Sequence, residues 1–171
     1  IPTAYQIAGV NLSYVPFKDK SVSVDIQSAY SLFDANLFSE SPVVKTDGFA
    51  FNGAVNFNQT DVSLFGVKFK SFKVELSNRV VNKAFNSLDR LNSVEFLRDY
   101  NVTDDTRKTE NLMQGNILFN LNNFVNLNLN VSQLRRGVAS SSLRNIGELK
   151  ISGDSIGLPN FIYKLEYINS E

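Results

Sequence analysis

The chain contains no cysteine, no histidine and no tryptophan, and its only methionine is Met113. Without cysteine there are no disulfide staples and no thiolate metal sites, and without histidine the commonest general base and zinc ligand are missing. The lack of cysteine leaves the compartment open, because exported and cytosolic proteins alike can do without it. An excess of either charge is also missing: Lys plus Arg and Asp plus Glu are 17 each, so no bulk field favours nucleic acid, an anionic membrane or an acidic substrate. Partners must be chosen by shape. No stretch approaches the roughly 20 apolar residues of a membrane helix, and there is no charged-then-apolar secretory leader. The first residue is Ile1 and not Met, which reads as a processed or trimmed product.

What remains is ample for a folded unit. The 171 residues suit a single domain, and 43% apolar with 20% charged residues lies far from the profile of disorder, so residues 1–171 are expected to form one β domain. The dominant period is two. Val10, Leu12 and Tyr14 alternate with polar or small residues, the stretch from Pro16 to Lys20 supplies turn chemistry, and Val22, Val24 and Ile26 resume the alternation as an antiparallel partner. Thr46-Asp47-Gly48 and Asn52-Gly53 read as turns bracketing Phe49-Ala50-Phe51, with Val55 and Phe57 opening another strand. From Val62 to Leu76 the apolar parity slips near Gly66 and again near Ser71, which predicts β-bulges.

The segment Asn116 to Val131 is the most regular. Ile117, Phe119, Leu121, Val125, Leu127, Leu129 and Val131 share one parity against Asn120, Asn122, Asn126, Asn128 and Asn130. As one strand it would run roughly 50 Å at about 3.3 Å per residue, beyond common strand lengths. A three-residue turn at Asn122, Asn123 and Phe124 would set Phe119 against Leu127 and Ile117 against Leu129, keeping the apolar residues on one side. Phe161 to Ile168 forms the last strand. Ala84, Phe85, Leu88, Leu91 and Val94 recur at helical spacing behind a capping Asn82, and a weaker helical pattern runs from Ile26 to Leu37. The expected fold class is mainly β: an antiparallel sandwich or small barrel with at most one or two short helices and a long hairpin or loop.

The search for chemistry yields no catalytic residue, no cofactor-binding residue and no metal ligand set. There is no phosphate loop, dinucleotide fingerprint or calcium loop. Asp104, Asp105, Arg107, Lys108 and Glu110 could form a cation-binding cluster, but neighbours in an extended chain point apart and a solvated loop is the plainer reading. Arg135, Arg136 and Arg144 could meet phosphate or carboxylates, against the simpler reading of a mobile polar loop. Lys68 and Lys70 sit where lysine guards a strand edge. Asn-x-Ser/Thr triplets at Asn11, Asn58, Asn101 and Asn130 formally permit glycosylation, although chance supplies such triplets in an Asn-rich chain. Carboxylates for an enzyme would be Asp25, Asp34 and Glu40, whose spacing singles out no pair.

One stretch carries a family resemblance. Thr46-Asp47-Gly48, Asn52-Gly53, the strand from Val67-Lys68-Phe69 to Leu76-Ser77-Asn78, then Val94-Glu95-Phe96-Leu97, Tyr100-Asn101-Val102-Thr103 and a strand beginning near Gly115 follow in order. Upstream stand Gly9-Val10-Asn11-Leu12-Ser13 and Ser21-Val22-Ser23-Val24-Asp25-Ile26. Together these resemble the tail tube (major tail) proteins of long-tailed bacteriophages, over most of the first 120 residues. Asn82-Lys83-Ala84-Phe85 stands where a Gly-containing loop is common in that family. The resemblance implies a β-sandwich with a flanking helix, assembled in the host cytoplasm into hexameric rings that stack as the virion tail tube. Its partners would be copies of itself, other tail proteins and genome DNA passing through the lumen without sequence-specific binding, with no enzyme activity, no cofactor and no membrane.

Two further readings use the same residues. An extracellular ligand- or carbohydrate-binding β-sandwich would present Tyr5, Tyr14, Tyr30 and Tyr100 as an aromatic platform. A fragment of an outer-membrane barrel would account for alternating strands of about ten residues, but parity slips, Asn-dense polar faces and no visible aromatic girdles set it lower.

Overall fold

The computed structural model describes residues 3–34, 45–64, 66–87, 92, 95–103, 106–138, 140–153 and 159–170. Eight strands follow one another in chain order: β1 (Ala4–Tyr14), β2 (Val22–Asp34), β3 (Lys45–Leu64), β4 (Val67–Val81), β5 (Glu110–Asn120), β6 (Val125–Arg136), β7 (Ser140–Ile151) and β8 (Phe161–Ser170). Each pairs antiparallel with the next, so the strands make one meandering sheet in the order β1 to β8, which is not closed. The single helix among the described residues, α1 (Phe96–Asp99), lies between β4 and β5. The mainly β, antiparallel class expected from the alternation is the class observed.

Several hairpins follow from the alternation. Leu12 pairs with Ile26 and Tyr14 with Val24, joined by a turn in which the Lys20 amide donates to the Phe17 carbonyl at 3.1 Å. Phe119 pairs with Leu127 and Ile117 with Leu129, as the three-residue turn requires. Asn122 shapes that turn, its Oδ1 accepting from the Phe124 and Val125 amides at 2.8 Å each.

Four expectations are corrected. Thr46-Asp47-Gly48 and Asn52-Gly53 are not turns but lie inside β3, a strand of 20 residues. Gly48 is there because another stretch of backbone presses on it: a Cβ would sit 2.1 Å from the Phe85 nitrogen. No residue is inserted near Gly66 or Ser71. Gly66 has φ +80° beside the β3–β4 hairpin tip, and pairing runs one-to-one from Ala50–Val81 to Leu64–Val67, interrupted only at Asp61, whose φ is 53°. A left-handed residue re-aims the tip without a bulge, and Phe69 still reaches Phe119 at 5.5 Å between ring centroids. The helical spacing from Ala84 does not give a helix over the described residues 83–87. There Asn82 Oδ1 accepts from the Ala84 amide at 2.8 Å and holds a turn, while Leu88, Leu91 and Val94 lie outside the described residues. The pattern from Ile26 is strand β2 as far as Asp34, and residues 35–37 lie outside the described residues.

Candidate functional site

Away from the β3–β4 tip beyond Asp61, the register assigns strand residues to one of two faces, because side chains alternate and paired residues point the same way. One row reads Tyr14, Val24, Val55, Leu76, Gly115, Val131, Asn145 and Tyr167 across the eight strands. The next reads Val22, Phe57, Val74, Ile117, Leu129, Gly147 and Leu165 across β2 to β8. In these two rows this face is apolar or glycine except at Asn145. The opposite face carries Ser23, Asp25, Asn56, Lys73, Glu75, Asn116, Asn128, Glu148 and Lys164.

The core is built on the polar face. Val81, Leu112, Leu134, Ser31, Ser132, Ser142 and Arg136 are all buried, and by register all project to that side. The apolar face carries no buried residue among those described. Val10 is 70% exposed, Tyr14 61%, Leu76 56%, Val131 51% and Tyr167 62%. A contiguous apolar surface of that extent marks an interface, since ordinary exposed patches cover a few hundred Å² at most.

The apolar band has two further regularities. It runs obliquely to the pairing rows. In the row Leu12, Ile26, Gly53, Asn78, Met113, Gln133, Leu143 and Asn169, the band continues beyond the row on β1 to β3 through Val10, Tyr30, Leu32, Phe49 and Phe51. On β5 and β6 the residues beyond that row are Asn111 and Arg135, and the band extends instead toward Val125, Ile151 and Phe161 at the other end. A band that drifts steadily across rows is what strands tilted to a common axis produce. Aromatic side chains also collect at its two borders. Tyr30, Phe49, Phe51 and Tyr167 lie along one, and Tyr14, Phe57, Phe72, Phe119, Phe161 and Tyr163 along the other. Aliphatic Val24, Ile26, Val55, Leu76 and Leu165 fill the space between. On the second border Phe72 lies 5.0 Å from Phe119 and 6.1 Å from Phe57, centroid to centroid.

The polar face is laced with charge pairs: Lys73 to Glu75 at 2.6 Å, Lys150 to Glu148 at 2.8 Å, Lys164 to Glu166 at 3.0 Å and Arg144 to Glu166 at 2.7 Å. It holds an open groove of about 510 Å³ lined by Glu75, Gln114, Asn116, Asn128, Asn130 and Glu148 among others. Asn128 Oδ1, which faces this groove region, is buried without a hydrogen-bond partner among the described residues. A buried acceptor left without a donor costs about 1–3 kcal/mol, which a water in the groove would remove.

The other end of the polar face is covered by described residues of the connection between β4 and β5, namely 82–87, 92, 95–103 and 106–109. Tyr100 packs with Leu112 and Leu134 in a small core flanked by Phe96 and Val102. Tyr5 Oη donates to the Asn86 carbonyl, the Asn86 amide donates to Ser31 Oγ at 2.9 Å, and Arg79 donates to Asn92 Oδ1 at 2.5 Å. Ser142 Oγ donates to the Tyr100 carbonyl at 2.5 Å, and Asn101 Nδ2 donates to Ser170 Oγ at 3.0 Å. Arg136, 4% exposed, bonds Glu110 at 2.9 Å and the Thr106 carbonyl at 2.9 Å.

The residues singled out by sequence are distributed as follows. Arg136 and Arg144 are not in a loop but on β6 and β7, tied down by Glu110 and Glu166, and Arg144 lies 5.9 Å from the Tyr100 ring centroid. Arg135 projects to the opposite side from Arg136. Arg107 reaches across to Asn86 Oδ1 at 2.8 Å, while Asp104 and Asp105 lie outside the described residues. No group of metal-ligating side chains occurs among the described residues. Lys70 Nζ donates to Asn123 Oδ1 at 2.6 Å, linking two hairpin tips, and Lys68 is near the same tip. The four tyrosines do not form one platform: Tyr14 and Tyr30 are on the apolar face, Tyr5 is on the polar face, and Tyr100 is 2% exposed. Asp25 accepts from Ser13 at 2.5 Å on the polar face, Asp34 ends β2, and Glu40 lies outside the described residues. Asn11, Asn58 and Asn130 are in strands on the polar side, and Asn101 is in the turn after α1.

Sequence reasoning missed the band's sidedness and its aromatic borders. Their signal was in the chain, but it becomes visible only when strands are aligned in register. No described helix is long and apolar enough to cross a membrane. Comparison with protein-family models, curated proteins and solved structures finds no significant match to this chain.

Proposed function

We propose that this chain forms a sector of a membrane-spanning β-barrel wall, its apolar face against lipid and its polar face lining a water-filled conduit. The observation that carries this reading is the inverted burial: the core lies on the polar face, while the apolar face is uncovered from β1 to β8. In water such a face would cost free energy over its whole area. In a bilayer it is the favourable arrangement, because only paired backbone can cross hydrocarbon and outward side chains must be apolar. The oblique band, the aromatic borders and strands of 10 to 20 residues support the same reading. The Asn-rich polar side, which argues against a barrel when taken alone, suits a wet lumen. The expectation that the chain has no membrane partner is therefore set aside in favour of this proposal.

The phage tail-tube reading is kept as the second, because the sheet's two unpaired edges would suit ring closure between copies. It too would turn a polar face to a lumen, but it needs a second layer of protein over the apolar face. Dilution of the urea-unfolded chain into phospholipid vesicles and, in parallel, into buffer separates them. The barrel reading expects a folded species, resistant to alkaline carbonate extraction, in the vesicles only. Folded rings or tubes in buffer, with no vesicle association, would overturn it in favour of the tube subunit.

A further inference from the structure

We propose that the open groove on the polar face is a binding site for a neutral polyhydroxylated solute such as a sugar. The inference rests on the membrane reading only for how such a solute reaches this face, and the recognition itself is argued from the side chains that line the groove. By register they stand in adjoining rows across β4 to β8. Glu75, Asn116, Asn130 and Ile146 make one row, Asn128, Glu148 and Lys164 the next, and Ser77 and Gln114 lie in a third. Paired strands lie about 4.8 Å apart and alternate residues of one strand about 6.7 Å apart, so the groove presents a grid of polar groups at those spacings. Its volume of about 510 Å³ suits a small solute.

The charge in this grid is compensated. Glu75 pairs with Lys73 at 2.6 Å, Glu148 with Lys150 at 2.8 Å and Lys164 with Glu166 at 3.0 Å, so each charged side chain of the lining has an opposite charge beside it. An ionic solute would give up hydration for a field that is already balanced. The Lys73 ammonium, and then the Asn116 amide, hold the Glu75 carboxyl below the usual carboxylate range, which keeps it an acceptor. The amides of Gln114, Asn116, Asn128 and Asn130 each carry donors and an acceptor, and a hydroxyl is both from a single atom. Asn128 shows what is needed. Its Oδ1 has no donor among the described residues, and its two cross-strand neighbours, Leu118 and the Glu148 carboxylate, have none to offer. A hydroxyl in the groove supplies that donor. Water does so too, but several hydroxyls on one frame meet several amides for a single loss of freedom. Ile146 gives the carbon side of such a frame an apolar contact.

The test is a sucrose titration of the isotope-labelled chain, folded in detergent micelles or in buffer and followed by the NMR signals of its side-chain amides. The expected result is saturable shifts at Asn116, Asn128 and Asn130 with a low-millimolar midpoint, a much weaker response to glycerol, which has fewer hydroxyls, and no competition from citrate. Asn128→Leu is expected to weaken sucrose binding about tenfold, the worth of one hydrogen bond, with the dispersion of the backbone signals retained. Asn130→Leu is a second variant with the same expectation. Asn58→Leu, on the same face but outside the groove, is expected to leave the midpoint unchanged. Shifts that do not saturate, displacement of sucrose by citrate, or wild-type affinity in both groove variants would overturn the inference. Entry into vesicles is scored separately by carbonate extraction, so sucrose binding by a chain that stays out of lipid would uphold the groove and count against the membrane reading.

Discussion

Gly48 and Phe85 are in backbone contact: a Cβ added to Gly48 would lie 2.1 Å from the Phe85 nitrogen and 2.4 Å from its Cα. This contact seats the 82–87 stretch on the middle of the sheet. Gly48→Ala is therefore expected to lift that stretch, at a cost of about 1–3 kcal/mol typical of overpacking, while β2–β3 pairing persists. Hydrogen exchange read by mass spectrometry would check it, with faster exchange at 82–87 and unchanged protection in β3. Uniform loss of protection, or none, would count against the seating role.

The buried pair Arg136–Glu110 makes a second test. The guanidinium is 4% exposed and its Nε lies 2.9 Å from Glu110 Oε1. Arg136→Met alone leaves the carboxylate without its guanidinium, with the Asn92 amide still donating at 3.0 Å, and should cost about 3–5 kcal/mol, whereas Arg136→Met with Glu110→Leu should recover most of the loss. Urea unfolding of the three proteins in detergent reads both numbers.

The tight connection between β5 and β6 depends on one side chain. Asn122→Ala removes two bonds to backbone amides, from Phe124 and Val125, and should destabilise by about 1 kcal/mol per bond lost. Asn122→Asp, which keeps an acceptor oxygen, should restore most of it in the same unfolding measurement.

In the β1–β2 turn, the Ser21 amide and then the Ser21 hydroxyl donate to Asp19 and hold its carboxyl below the usual carboxylate range. A pKa lowered on folding contributes stability above the unfolded value, and that contribution is lost as pH falls through the folded value. Ser21→Ala should move the Asp19 titration back toward the ordinary range. The substitution keeps the amide bond, so the return is partial, and carbon-detected NMR titration of the Asp19 carboxyl would show an unchanged midpoint if the hydroxyl bond has no such effect.

Much of the fold could be read from the chain. Leu12 with Ile26 and Phe119 with Leu127 follow from period two plus a turn, because a one-residue slip would move each apolar set to the wrong face. Gly48 could not be placed, since glycine signals a turn and a close backbone approach equally well and the approaching Phe85 is distant in sequence. The spacing of Ala84 and Phe85 suggested a helix for a similar reason: both side chains serve a segment laid across a sheet. The sidedness was hidden by symmetry. Alternation is the same whether the apolar face turns to a core or to lipid, and Tyr30, Phe49 and Tyr167 become a border only after eight strands are aligned.

Charge introduced on the two faces should have opposite consequences. Val55→Arg, in the middle of the apolar band, should cost about 2–4 kcal/mol in a bilayer, and Ser77→Arg, beside the polar groove, close to nothing. Reversible unfolding in vesicles would report the difference, and equal costs would contradict the assignment of faces.

The most direct test of the lipid-facing surface uses neighbouring positions on one strand. A single fluorophore on Leu76→Cys or on Ser77→Cys, in chains refolded with vesicles, is exposed first to lipids brominated along the acyl chain and then to a water-soluble quencher. The membrane-wall account predicts that the label at position 76 is quenched by the brominated lipid and that the label at 77 is quenched only from water. Quenching of both labels from the aqueous phase, with no effect of the brominated chains, would contradict it.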